Sequence, residues 1–238
     1  MTKALTDAIA FPRGPAMKNR FMLAPLTNFQ SHADGTLSDD EFNWLVKRAT
    51  GGFGLTMTCA AHVQLNGQGF PGQLGAWSDN HVAGLERLAK AIRAEGSVGS
   101  VQLHHAGLRA NPKASGVPAV APWDDAASGA RALTTAEVEQ FVEDYILAAE
   151  RVERAGFEGA ELHGAHGYLL CQFLDPVNNQ RTDRYGGSFE NRCRVIWEIT
   201  EGIRARTGKD FQLGIRISPE RFNMDIREAR ILAAQILA

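Results

Sequence analysis

The sequence has little cysteine and no excess of charge, and each absence argues against a class of protein. Its 238 residues contain three cysteines, Cys59, Cys171 and Cys193, which are far apart and form no CxxC pair. This usage shows no metal-ligand spacing and favours reduced thiols in a cytoplasmic protein. A formal charge of −2 gives no electrostatic reason to expect nucleic acid or an acidic membrane surface as a partner.

Long apolar runs are also missing. Hydrophobic residues make up 44% of the chain, but no stretch approaches the roughly 20 apolar residues of a membrane span. Asp7 lies where a signal peptide needs a continuous apolar segment. We therefore expect a globular protein with a sizeable core, without a membrane partner and without a secretion signal.

What the sequence does contain is an alternation of short apolar strands and amphipathic helices, which predicts βαβ units, a parallel sheet and the α/β class. The predicted strands are 21–24, 55–60, 98–103, 159–163 and 211–218. The predicted helices begin after Ser38, at Asp79 or Asn80, after Thr134 or Thr135, at Ser188 and near Asp225. Three long loops, 61–78, 104–133 and 164–187, follow strand ends, which favours a barrel with an elaborated carboxyl end over a doubly wound sheet.

The number of strand–helix units does not complete a barrel. Five units are visible, whereas a (βα)8 TIM barrel needs eight. No shift in composition divides the chain, so we interpret residues 1–238 as one partial TIM-barrel domain without a second domain. A fragment of a longer enzyme is the favoured explanation, and completion by another chain is the alternative.

Residues 161–192 carry the strongest functional signal. His163 ends the fourth predicted strand, and His166 and Tyr168 follow it closely. Two imidazoles can hold a polarised oxygen, and a tyrosine phenol ordinarily carries a proton that it can donate. Structural histidines and a packed tyrosine are the plain alternatives. A metal site that adds Glu161 lacks an evident fourth ligand.

An ordered set of motifs resembles the old yellow enzyme family, the flavin-dependent ene-reductases and NADH:flavin oxidoreductases on an (α/β)8 barrel. The resemblance runs from Lys18 to the end of the chain. Its motifs are 18–20 (KNR), 24–27 (APLT), 74–79 (LGAWSD), 101–103 (VQL), 105–107 (HAG), 163–168 (HGAHGY), 173–176 (FLDP), 179–192 (NQRTDRYGGSFENR) and 215–218 (IRIS). No single motif is specific, but their order at successive strand ends is.

The resemblance implies FMN as the cofactor and assigns the residues that would hold its ring. Pro25 and Thr27 would lie beneath the flavin, with the Thr27 hydroxyl on O4. Ala60 would give a backbone contact near the same edge. Gln102 would pair with the pyrimidine edge through its amide, and Arg216 would stabilise the negative charge that collects near N1 and O2 on reduction.

The same resemblance implies the reduction of an activated C=C bond in an α,β-unsaturated carbonyl or nitro compound, with NADH or NADPH as the hydride donor. His163 and His166 would donate hydrogen bonds to the substrate oxygen, and Tyr168 would protonate Cα. Among His62, His104 and His105, we expect His105 to line the pocket. The oligomeric state stays open, a homo-oligomer included.

Two further expectations concern parts of the chain outside this pocket. In the family, the phosphate of FMN is bound by loops after the seventh and eighth strands, which we do not find here. The alternative function is therefore a non-catalytic fragment that cannot hold FMN unaided and serves at most as an interaction or assembly piece. A metal-dependent hydrolase on the same barrel is a third possible function.

We expect Arg181, Asp183, Arg184, Glu190 and Arg192 to form a structural ion-pair and capping network.

Overall fold

The structure of the protein is a computed structural model, and it describes residues 4–237. The strands are β1 (Met22–Leu23), β2 (Leu55–His62), β3 (Val98–His104), β4 (Val120–Ala121), β5 (Arg131–Ala132), β6 (Gly159–Gly164) and β7 (Gln212–Ile217). The α-helices are α1 (Asp39–Thr50), α2 (Val82–Ala94), α3 (Pro112–Ser115), α4 (Thr135–Arg154), α5 (Leu169–Leu174), α6 (Phe189–Arg206) and α7 (Ile226–Leu237).

Five of these strands form one parallel sheet in the order β1-β2-β3-β6-β7. A helix follows each strand before the next one begins: α1, α2, α4, α6 and α7. The predicted α/β class, the five strands and their parallel pairing are confirmed. Among the described residues, the short strands β4 and β5 pair only with each other, inside the long connection between β3 and α4.

Side-chain alternation gives the sheet two different faces. On β3, Val101 and Leu103 are buried in the main apolar core, which the helices cover. The intervening residue Gln102 points to the opposite face, which we call the inner face. At the start of β2 and β3, the inner face is apolar, because Leu55, Met57 and Val98 pack there with Met17. The inner face thus has an apolar floor at the amino ends of the strands.

Helices α1, α4 and α6 begin where the sequence predicts, because a hydroxyl side chain satisfies the first free amide groups of each. A 3-10 helix, Asp79–His81, occupies the predicted start of α2, which itself begins at Val82. Ser38 caps α1 by accepting a hydrogen bond from the backbone N–H of Glu41. Thr134 caps α4 in a reciprocal capping box with Glu137, and Ser188 caps α6. Acidic residues in the first turns add a favourable interaction with the helix dipole.

A β-bulge in β2 was not predictable from the alternation of its side chains. The pairing with β3 runs from Met57 opposite Ser100 directly to Ala60 opposite Gln102, so β2 holds one extra residue. The extra residue reverses which face the following side chains take. Ala60 therefore joins the inner face, and Cys59 and Ala61 are buried in the helix-covered core.

The loop after α5 is held by the predicted ion pairs. The side chain of Arg181 is 9% exposed and pairs with Asp183, and it also donates to the backbone oxygens of Pro122 and Leu133. Burial alone would raise the pKa of Asp183, but hydrogen bonds from Arg181 and Thr135 outweigh it and lower the pKa to about 2. Arg181 thereby joins the loop to the segment that leads into α4.

The other members of the predicted network divide into two groups. Arg184 pairs with Glu139 and Glu198, and Arg192 is buried against Glu228 of α7. Within residues 4–237, Glu190 makes no ion pair and lies in the first turn of α6. The expectation of a structural network is therefore confirmed for the arginines and Asp183, with Glu190 outside its ion pairs.

Two buried histidines lie at the carboxyl ends of β2 and β3: His62 is the last residue of β2, and His105 directly follows β3. The Nδ1 atom of His62 lies 2.9 Å from the backbone oxygen of Gln64. His105 accepts from the N–H of Gly107 at Nδ1 and lies 3.1 Å from Asn66 Oδ1 at Nε2. Burial lowers the pKa of His62 to about 4 and that of His105 to about 3. Both rings are therefore neutral in the folded protein at pH 7.

No helix within residues 4–237 is both long and apolar enough to cross a membrane.

We predict that Arg181→Met lowers the free energy of unfolding by about 3 kcal/mol, because it leaves Asp183 without its cation and two backbone oxygens without a donor. Urea denaturation at pH 7 measures the change. Arg227→Met is the matched control, since Arg227 pairs with Asp225 while 84% of its side chain is exposed. The control should change stability by less than about 0.5 kcal/mol. Equal losses in both variants would contradict a structural role for the buried pair.

We predict that stability falls as the pH drops from 7 to 5. The pKa values of His62 and His105 lie below the ordinary value of 6.5, so the unfolded chain binds protons that the folded one excludes. The stabilisation is complete above pH 6.5 and is lost towards the folded pKa values. At pH 5 each histidine costs roughly 2 kcal/mol.

Urea denaturation at both pH values checks this with two variants. His105→Asn should reduce the difference between pH 7 and pH 5, whereas replacement of the exposed His32 by Gln should leave it unchanged. A difference that is the same in all three proteins would show that His105 does not contribute to it.

Candidate active site

A cavity of about 280 Å³ lies on the inner face at the carboxyl ends of the strands. Its walls come from β2, β3, β6, β7, the segment after β1 and the loops after β2 and β6. The lining residues are Ala24, Pro25, Leu26, Thr27, Ala60, Phe70, Gln102, His104, His163, His166, Tyr168 and Arg216. All eight residues predicted for catalysis or cofactor binding are among them. The structure thus brings the predicted set together, and the role of each residue stays a prediction.

One wall is formed by the end of β6. His163 is buried, and its Nε2 atom lies 2.8 Å from Nδ1 of His166, which is exposed. On its other side, the Nδ1 atom of His163 lies 3.0 Å from Nδ1 of His104 on β3. Both ring nitrogens of His163 are therefore engaged by other imidazoles.

The electrostatic surroundings keep these imidazoles neutral. Burial, with smaller effects from His166 and Arg216, lowers the pKa of His163 to about 3. Burial and then His163 lower the pKa of His104 well below its ordinary value. Burial and the nearby Arg216 also lower the pKa of His166. At pH 7 the wall offers neutral N–H donors rather than cations.

The turn after β6 holds a residue in an unfavourable backbone conformation. His166 has φ of 61°, in the left-handed region, and Gly167 follows with φ of 73°. Ser218, just beyond β7, accepts a hydrogen bond of 3.0 Å from the backbone N–H of His166. Arg109 donates to the backbone oxygen of His166 at 2.8 Å. These two bonds hold the turn, which is how functional sites commonly retain strained backbone.

Tyr168 follows this turn and is packed against the imidazoles. Its ring centroid lies 4.4 Å from that of His104 and 4.9 Å from that of His163, both in edge-to-face geometry. The guanidinium carbon of Arg109 lies 5.0 Å from the Tyr168 ring centroid. The phenol ring is thereby fixed at the cavity wall, and its hydroxyl makes no hydrogen bond within residues 4–237.

A buried carboxylate connects the two predicted flavin-facing polar residues. Glu161 lies opposite Gln102 in the sheet and accepts a hydrogen bond of 2.7 Å from the Gln102 amide nitrogen. Arg216 donates to the two oxygens of Glu161 at 3.0 and 3.2 Å. The carboxylate neutralises the guanidinium and fixes both side chains at the cavity. In the Glu161–Gln102 bond, the amide is the donor, which leaves its oxygen free to accept.

The remaining wall follows β1 and β2. Pro25 and Thr27 come from the segment after β1, and Phe70 comes from the loop after β2. The backbone oxygen of Ala60 already accepts a hydrogen bond of 2.9 Å from Gln73. This wall supplies a hydroxyl and apolar surface.

The structure corrects the expectation for His105. His104 lines the cavity, whereas His105 lies on the opposite face of β3 against Phe141 and Asn66. The signal was present in the sequence, because residues two apart on a strand share a face and Gln102 was already assigned to the site. Phe70 had no such signal, since it lies in a long loop.

The metal reading finds no support in the geometry. Within residues 4–237 no group of three or more His, Cys, Asp or Glu side chains is placed to hold a metal ion. Both oxygens of Glu161 face Arg216, and the nitrogens of His163 face other imidazoles. The polar groups instead form a fixed set of neutral hydrogen-bond donors around a cavity, with one compensated cation.

Comparison with known proteins places this geometry in a family. The profile of the NADH:flavin oxidoreductase / NADH oxidase family matches residues 13–234. A probable NADH-dependent flavin oxidoreductase, YqiG of Bacillus subtilis, is 38% identical over 226 residues, which cover 92% of this chain and 60% of that protein. The chain thus spans about three fifths of the length of this relative.

Solved structures agree with the sequence comparison. The old yellow enzyme homologue from Zymomonas mobilis superposes with a TM-score of 0.90 at 32% identity, over 99% of this chain and 70% of that one. Morphinone reductase in complex with tetrahydroNAD gives a TM-score of 0.88 at 31% identity, over 99% and 71%. The five strand–helix units are therefore part of a (βα)8 barrel fold, as predicted. The chain belongs to the NADH:flavin oxidoreductase / NADH oxidase family, and its fold is similar to that of the old yellow enzyme homologue.

Proposed function

We propose that this chain carries the ring-binding and substrate-binding half of an FMN-dependent oxidoreductase. The enzyme uses NADH or NADPH to reduce the activated C=C bond of an α,β-unsaturated carbonyl or nitro compound. The observation that carries the proposal is the single cavity on which all eight predicted residues meet. Three buried free thiols fit the reducing cytoplasm expected from the sequence.

The cavity fits the ring of a flavin in size and in chemistry. Its volume lies near the lower end of the range for small-molecule pockets. Thr27 offers a hydroxyl, Gln102 an amide oxygen and Arg216 a cation, so the cavity offers both donors and acceptors, which the polar edge of an isoalloxazine requires. When bound, FMN would supply the hydride chemistry that no side chain can provide.

Arg216 would act on the flavin ring through its positive charge, although Glu161 balances that charge in the unliganded cavity. A guanidinium next to the ring edge favours negative charge there. Because Glu161 already balances Arg216, the pair adds no net charge to the unliganded cavity. The Glu161 carboxylate therefore orients the Arg216 guanidinium and the Gln102 amide.

The opposite wall would bind and polarise the substrate. A neutral imidazole donates a hydrogen bond to a carbonyl or nitro oxygen without transferring its proton, so electron density shifts away from the β-carbon. Tyr168, fixed between His104, His163 and Arg109, would hold a proton for the α-carbon. A positioned acid of this kind contributes roughly 10²–10⁴-fold in rate.

We predict that the purified chain binds FMN, which would be seen as quenching of flavin fluorescence and a shift in its visible spectrum. Gln102→Leu should weaken FMN binding about tenfold, through the loss of an amide hydrogen bond in a buried site. Gln140→Leu, which removes an exposed glutamine of α4, is the matched control and should bind FMN normally.

The same titration decides between the proposal and its alternative. A folded chain whose spectrum and fluorescence are unchanged by excess FMN would favour the non-catalytic fragment. Equal affinities in Gln102→Leu and wild type would remove Gln102 from the ring-binding set, even if FMN binds.

We predict that Tyr168→Phe slows alkene reduction by at least about 10²-fold, because the phenolic proton is lost while the ring packing is kept. Reduction of the bound flavin by NADH or NADPH should change by less than about twofold, since that half-reaction needs no proton from Tyr168. Stopped-flow absorbance at the flavin band measures both half-reactions in one preparation. Similar losses in the two would contradict a proton-donor role and indicate a structural defect.

A further inference from the structure

Three imidazoles form a hydrogen-bonded row that begins on β3 and ends at the cavity. His104 Nδ1 lies 3.0 Å from His163 Nδ1, and His163 Nε2 lies 2.8 Å from His166 Nδ1. His104 and His163 are buried, and His166 is exposed at the cavity. The function proposed above gives the first member, His104, only a packing contact with Tyr168.

Only two arrangements of protons fit this row. Each ring is neutral at pH 7, so each carries one N–H and one acceptor nitrogen. His163 must accept from one neighbour and donate to the other. In the outward arrangement, His104 donates to His163, His163 donates to His166, and the Nε2–H of His166 faces the cavity. In the inward arrangement every donor is reversed, and His166 presents an acceptor.

The surroundings of His104 favour the outward arrangement. The inward one would place the His104 proton on Nε2, and within residues 4–237 no acceptor hydrogen-bonds that atom. The outward one places the proton on Nδ1, where His163 accepts it, and leaves only an acceptor lone pair without a protein partner. His104 is 2% exposed and lines the cavity, and at so enclosed a position a donor without a protein acceptor is costlier than an acceptor without a donor.

We propose that His104 is a positioning residue that donates from Nδ1 to His163, and thereby holds His163 as the Nε2–H tautomer. In the unliganded cavity His163 in turn donates to His166, which leaves the Nε2–H of His166 directed at the cavity. A substrate oxygen that enters would then meet the Nε2–H groups of both His163 and His166. A reversed row would present a lone pair to that oxygen and repel it. The consequence for binding rests on the proposed function, but the tautomer of His163 does not.

A simpler role for His104 is packing, because its ring also contacts Tyr168 edge to face. The two roles differ in one property. Packing depends on the shape of the side chain, whereas positioning depends on a donor at the place of Nδ1. Asn and Leu have similar volume, and only Asn can donate at that place.

The direct test is nitrogen NMR of the full chain labelled with 15N-histidine at pH 7. The signals of His163 are assigned by their loss in His163→Gln. We expect the protonated nitrogen of His163 to be Nε2 and the unprotonated one Nδ1. A His163 protonated on Nδ1 would overturn the proposal, whether or not the chain binds FMN or reduces an alkene.

The second test compares His104→Leu with His104→Asn. In His104→Leu we expect His163 to populate both tautomers and the FMN-loaded protein to bind a substituted phenol about tenfold more weakly. His104→Asn should restore the Nε2–H tautomer and bring affinity to within about twofold of wild type. His105→Asn, on the same strand end but the opposite face, should leave the His163 signals unchanged.

The outcomes separate the proposal from the function on which it builds. If His104→Leu keeps the wild-type tautomer and phenol affinity, His104 only packs. If Leu and Asn cause equal losses, shape rather than hydrogen bonding matters, and the proposal is wrong. If either variant fails to fold, the wild-type spectrum still decides the direction of the row. Absence of FMN binding would refute the proposed function but not a correct tautomer.

Discussion

The in-register pairing of β3, β6 and β7 is the constraint on which the rest of the site depends. It sets Gln102 opposite Glu161 and His163 opposite Arg216. Because side chains alternate between the faces of a strand, these four share the inner face. A slip of one residue in β6 would move Glu161 and His163 into the helix-covered core and bring apolar Leu162 to the cavity. The apolar packing of the other face therefore fixes the position of every polar group in the site.

The ionisable groups of the cavity are either paired or neutral, so their burial costs little free energy. Arg216 and Glu161 compensate each other, and the low pKa values of His104 and His163 keep both rings uncharged at pH 7. A buried imidazolium beside Arg216 would be repelled, which is part of why His163 stays neutral. The site consequently offers oriented hydrogen bonds rather than net charge, and the direction of each bond depends on which ring nitrogen carries the proton.

Local signals in the sequence predicted most of the fold and of the cavity lining. Helix caps such as Ser38 and Thr134, and apolar strands, act over a few residues and were correct. The β2 bulge and the left-handed turn at His166 were not predictable, because both result from tertiary contacts: pairing with β3, and bonds from Arg109 and to Ser218. His104 is a different case. The alternation of side chains that places Gln102 on the inner face also places His104 there, two residues further along β3, so its position was predictable.

The inner face changes character along the strands, and this gradient explains how one sheet serves both stability and chemistry. At the amino ends, Met57 and Val98 pack with Met17, which comes from the segment before β1, and close the floor. At the carboxyl ends, polar side chains line the cavity, and irregular connections with their own short elements surround it. Loops there can vary without exposing the floor or breaking the helix-covered core. The strand ends can thus keep a fixed set of donors while the loops determine which molecule reaches them.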